Sequence, residues 1–149
     1  MVEVEVRIGT PCTPDGAPHS SDVSSIVGFS GDVVGSVALC FPLPTAVAVA
    51  SKFARCEMTE EHPDFADAIG ELANMVAGHA KSKFENLTVS ISLPRVVAGK
   101  GLRLLGSKCS PALLLPCESE LGSFSVELMV DAEGGSAKAS AQAAASAGA

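Results

Sequence analysis

The chain has 149 residues, a formal net charge of -7 and a hydrophobic fraction of 47%. A nucleic-acid binder needs a basic surface to displace counterions from phosphates, so this charge excludes that class, and a polybasic membrane anchor with it. With no Trp, no Tyr and six Phe, the core must be aliphatic, and platforms for stacking bases or sugars are nearly absent.

At the N-terminus, Val2, Val4, Val6 and Ile8 alternate with Glu3, Glu5 and Arg7. Period two predicts a strand with one wet face, and those charges do not suit a targeting segment. Thr10 to Ser21 carries three prolines and a glycine and reads as a loop. Val23 to Phe29 and Val33 to Phe41 are apolar and rich in β-branched residues, with Ser30, Gly31 and Asp32 between them supplying turn chemistry. That pattern predicts a hairpin. Val33 to Ser51 lacks charge and is about as long as a membrane span, but Pro42 and Pro44 split it into a strand-like half and a helix-like half. Pro44 suits the first position of a helix over Thr45 to Arg55.

His62 to Phe84 carries the longest helical pattern, followed by expected strands over Thr88 to Leu93, Arg95 to Ala98, Leu102 to Leu105, Ala112 to Cys117 and Ser123 to Val130. Two helical stretches among hairpin-linked strands predict an α+β fold, an antiparallel sheet with long helices packed on one face. Residues 1–131 form the expected domain. In the tail, 132–149, nine residues are Ala and most others Gly or Ser, so it cannot bury enough surface to offset its ordering entropy and reads as disordered. Five cysteines, odd in number and without a C-x-x-C pair, fit reduced thiols in a cytoplasmic protein better than a disulfide framework, and no metal site is expected.

The longest helix carries the chemistry. At about 100° per residue, Phe65, Ile69, Leu72, Val76 and Ala80 form one stripe, the expected buried face. Asp67, Glu71, Asn74 and Gly78 form a second stripe on the opposite side. Glu and Asn on a wet helical face are ordinary in themselves. However, Asn is a mediocre helix former, and Gly costs about 1 kcal/mol against Ala in a helix interior. Neither G-x-S-x-G nor a Cys–His context supplies a nucleophile, and Gly99-Lys100-Gly101 lacks a P-loop frame. His79 has no partner groups that would make it a catalyst.

Ile69-Gly70-Glu71-Leu72-Ala73-Asn74-Met75-Val76-Ala77-Gly78 resembles the signature helix of the CheC/CheX/FliY family of chemotaxis phosphatases. That signature runs from an Asp or Ser to a Glu one turn on, an Asn a further turn on, and a Pro on a following strand. Asp67, Glu71, Asn74 and Pro94 fill those places. Ile26 to Gly31 with Gly35-Ser36 resembles the family's central hairpin, and Pro94 to Leu102 its strand after the helix. The single signature helix is similar to that of the CheX-like members. The N-terminus departs from the pattern, because members generally begin with a helix and this chain opens in an expected strand.

The resemblance implies a phosphatase whose substrate is a CheY-like response regulator phosphorylated on aspartate. The regulator brings its own Mg²⁺ and lysine, and the phosphatase needs no cofactor of its own. By resemblance, Asn74 holds a water in line with phosphorus and Glu71 pairs with the regulator's lysine. Asp67, Gly78 and Pro94 are expected to contact the partner or shape the surface it meets. CheX-like members pair as homodimers by joining sheets, which carries over as an expectation. The same helix would also serve a non-catalytic adaptor docking a two-component or motor-switch partner, or an inert domain of a larger system. The amide of Asn74 distinguishes these readings, because a pure adaptor has no need of it.

Overall fold

A computed structural model of the chain describes residues 4–13, 21–105 and 110–131. Among these, β1 (Val6–Ile8), β2 (Ser21–Gly31), β3 (Gly35–Phe41), β4 (Val89–Ile91), β5 (Arg95–Leu102), β6 (Ala112–Ser119) and β7 (Gly122–Val130) form one sheet. Its order is β1-β6-β7-β3-β2-β4, with β5 sharing the outer edge of β2 with β4. Every pairing is antiparallel. Two helices, α1 (Leu43–Ala54) and α2 (Phe65–Ser82), lie between β3 and β4 in the chain. The α+β class and the antiparallel sheet match the sequence expectation. Of the two helices only α2 is long, at 18 residues against 12 for α1.

Register decides which side chains meet the helices. Val23 opposes Phe41, Val27 opposes Val37, Val37 opposes Leu128, and Leu39 and Leu115 both oppose Val126. Strand side chains alternate faces, so these residues share one face, and they cluster there with Ala46, Ala50, Phe65, Ile69, Ala73 and Ala77 of the helices. An edge-to-face contact between Phe29 and Phe84, at 6.2 Å between ring centres, ties the end of α2 to the sheet. Asp32 closes the far end of the hairpin by accepting from the Thr88 amide at 2.7 Å.

Several boundaries differ from the sequence reading. Helix α1 begins at Leu43, ahead of Pro44, because Asp22 Oδ2 accepts from the Leu43 amide at 2.9 Å and satisfies one of the free donors of the first turn. Helix α2 begins at Phe65; His62 belongs to the preceding turn, where its Nδ1 accepts from the Asp64 amide. The strand expected over Leu102 to Leu105 is instead the end of β5, and residues 103–105 have no regular structure. Strand β1 is short and exposed throughout, without the buried face that its alternation suggested. The expected tail at 132–149 lies outside the described residues. No helix among the described residues is long and apolar enough to cross a membrane.

Candidate functional site

Helix α2 positions the candidate residues, and its rotation on the sheet sets their exposure. Its buried residues are Phe65, Ala68, Ile69, Gly70, Ala73, Ala77 and Ala80. Leu72 and Val76, central to the expected stripe, are only half-buried and flank the core. The centre of the buried arc is therefore rotated by roughly 40° from the expected stripe, towards Gly70 and Ala77. Small residues cause this shift. Gly70, Ala73 and Ala77 let the helix axis approach the sheet, so the bulky residues pack from the side. At Gly70, a Cβ atom would stand 3.3 Å from Pro94 Cγ and 3.6 Å from Val96 Cγ2. This absent methyl is what seats α2 against the start of β5.

The rotation separates two residues that the sequence placed alike. Glu71 lies almost diametrically opposite the buried arc and is exposed. Asn74 lies about 120° from its centre and is half-buried. The pair thus occupies the shoulder of the helix, with Glu71 outermost and Asn74 nearer the protein surface. Among the described residues, neither side chain makes a hydrogen bond or an ion pair. Both therefore keep their full donor and acceptor capacity for another molecule.

Asp67 is exposed in the first turn of α2, where its charge complements the helix dipole. Gly78 is half-buried, and a Cβ built on it would meet nothing within 4 Å. Pro94 is half-buried immediately before β5, beside Gly70 and one turn below Asn74. All five residues therefore fall on one region, the outer side of α2 and the strand edge next to it.

Two residues of that region were not singled out from the sequence. Met75, 41% exposed, follows Asn74 on the helix, and Leu93, 90% exposed, precedes Pro94. Large apolar side chains at such exposure beside unpartnered polar groups suit a protein partner. Met75 could have been noticed as an apolar interruption one turn beyond Glu71. Leu93 carried no signal, because Thr88 to Leu93 read as one continuous strand, whereas β4 ends at Ile91.

An antiparallel sheet with two helices is the fold of the CheC/CheX-like chemotaxis proteins. The CheX chemotaxis protein of Desulfovibrio desulfuricans has the same fold, at a TM-score of 0.77 and 27% identity, covering 88% of this chain and 89% of that one. The CheX of the CheX–CheY–BeF3–Mg²⁺ complex of Borrelia burgdorferi shares the fold at a TM-score of 0.66 and 24% identity, covering 85% and 84%. The profile of the family "Chemotaxis phosphatase CheX" matches residues 23–118, and this chain belongs to that family. The CheY-P phosphatase CheX of Thermotoga maritima is 32% identical over 107 residues, which are 70% of this chain and 69% of that protein.

Proposed function

We propose that this chain accelerates hydrolysis of the aspartyl phosphate on a CheY-like response regulator. One observation carries the proposal. In a member of the CheX family, Glu71 and Asn74 stand together on the outer shoulder of α2 without a partner among the described residues. The family relative from Thermotoga maritima is a CheY-P phosphatase, and the Borrelia burgdorferi relative was solved bound to CheY with BeF3 and Mg²⁺.

Phosphoryl transfer depends on positioning and charge stabilisation more than on covalent help from the protein. A carboxamide offers a donor and an acceptor at fixed separation, so it can orient a water through both. In this reading Asn74 holds the attacking water in line with phosphorus, and its half-buried base restricts the amide's freedom. Glu71, the outermost of the two, pairs with the regulator's lysine and sets the register of docking. When bound, the regulator's own Mg²⁺ would balance charge on the phosphoryl group. Asp67, Gly78 and Pro94 border the contact, and Leu93 and Met75 supply its apolar rim.

The test is the lifetime of phosphorylated regulators from the same cell, measured with catalytic amounts of this chain. At least one lifetime should shorten, with many regulator molecules turned over per molecule of chain. Docking without shortening for every regulator would instead identify a non-catalytic adaptor.

A further inference from the structure

The face of the sheet turned away from α1 and α2 carries a polar cavity. Register assembles it: Ser24 opposes Cys40, Cys40 opposes Ser125, and one step along the sheet Ala38 opposes Glu127. These side chains project from β2, β3 and β7 on the side opposite the aliphatic core. Ser, Cys and Ala are small, so the middle of this face is hollowed. The resulting cavity measures about 240 Å³, and its lining includes Ser21, Cys40, Ser125, Glu127, the exposed Glu118 and the apolar Leu102 and Pro116.

Glu127 is the unusual member. It is only 5% exposed, and its Oε2 is buried without a hydrogen-bond partner. A buried carboxylate oxygen without a donor costs about 1–3 kcal/mol or more, so a side chain kept in that state calls for a compensating partner. No Lys, Arg or His appears among the described residues lining the cavity. The surrounding polar groups are Ser21 and Ser24, whose hydroxyls bond each other at 2.8 Å, with Ser123, Ser125, the exposed Glu118 carboxylate and the Cys40 thiol. Burial pushes that thiol up to about 11, so it stays neutral and is no nucleophile.

We infer that this cavity is a binding site for a small primary ammonium compound with a short apolar body, its nitrogen pairing with the Glu127 carboxylate in the cavity wall and donating to the serine hydroxyls that line it. An ammonium group has three donors and one positive charge, which answers the buried carboxylate of Glu127 among hydroxyl acceptors, with the exposed Glu118 carboxylate adding negative charge at the cavity's edge. A cavity of roughly 150 Å³ accepts benzene, so 240 Å³ leaves room for such a ring bearing an aminomethyl group. The site lies across the sheet from α2 and is independent of the proposed phosphatase chemistry.

The experiment is a titration of the full chain with benzylammonium chloride, followed by amide NMR shifts, with benzyl alcohol as the uncharged control. Expected are saturable shifts at Cys40, Ser125 and Glu127, and binding at least about 10-fold tighter than for benzyl alcohol. Glu127→Gln keeps the shape and should weaken benzylammonium to the level of the alcohol. The comparison of the two probes on the unmodified chain needs no variant, so it holds even if E127Q fails to fold. Absence of saturable binding, equal affinity for both probes, or full retention of affinity in a folded E127Q would each overturn the proposal.

Discussion

Replacing Gly78 with Ala separates stability from docking at one position. Gly78 is in the interior of α2, four residues before its last helical residue, and a Cβ there would meet nothing within 4 Å. The substitution therefore adds helix propensity without a clash, a gain of about 1 kcal/mol. That corresponds to roughly a fivefold rise in the ratio of folded to unfolded chain, and about 4 °C in Tm for a domain of this size. Urea denaturation should show the midpoint rising by about 0.5 M at unchanged slope. The same methyl stands on the face assigned to the regulator, so acceleration of dephosphorylation should fall in the better-folded protein. A midpoint that stays put or falls would refute the helix geometry at Gly78. Increased stability with undiminished activity would remove Gly78 from the contact surface.

Gly70→Leu should act in the opposite sense, because even a Cβ is 3.3 Å from the Pro94 ring; a loss of about 1–3 kcal/mol is expected in the same denaturation assay. Glu71→Lys reverses the charge meant for the regulator's lysine and should raise the Kd by about 10-fold or more, as read by titration against the regulator held in a phosphorylated-like state. Leu93→Asp should raise the half-saturating regulator concentration while leaving the maximal rate nearly unchanged, because Leu93 is exposed and serves the apolar rim of the contact in this reading. Burial raises the pKa of Glu127 in the folded chain, so the folded state binds more protons than the unfolded one between the two values, and stability contributed by this group falls as pH rises through that window. Glu127→Gln should therefore stabilise the chain by about 1 kcal/mol above the raised pKa, with the advantage fading as pH falls towards the ordinary carboxylate range; denaturation midpoints of both proteins across that range check it.

Much of the scaffold was legible because its periodicities are local. Apolar, β-branched runs on either side of Ser30-Gly31-Asp32 marked β2 and β3, and the spacing of Phe65, Ile69 and Ala80 located α2. Boundaries were less legible because they depend on distant partners. Asp22, on β2, extends α1 to Leu43, and nothing in the helix's own residues announces that bond. The rotation of α2 was hidden for a related reason. Hydrophobic spacing weights Leu72 and Val76, whereas close approach to the sheet is set by Gly70, Ala73 and Ala77. Hence Asn74 sits on the shoulder of the helix, half-buried, while Glu71 points fully outward. The motif residues were readable from their spacing and from the family resemblance, but Leu93 was not, since its exposure follows from where β4 ends. The cavity on the other face was invisible in the sequence, because Ser24, Cys40, Ser125 and Glu127 come from three strands and meet only through register.

The account turns on the amide of Asn74, and Asn74→Ala addresses it directly. The measurement is the rate of regulator dephosphorylation against regulator concentration, for the unmodified chain and the variant. The maximal rate should drop by about 100-fold or more, with little change in the concentration giving half-maximal rate, because the carboxamide acts on water while docking uses the surrounding surface. An unchanged maximal rate would contradict the assignment.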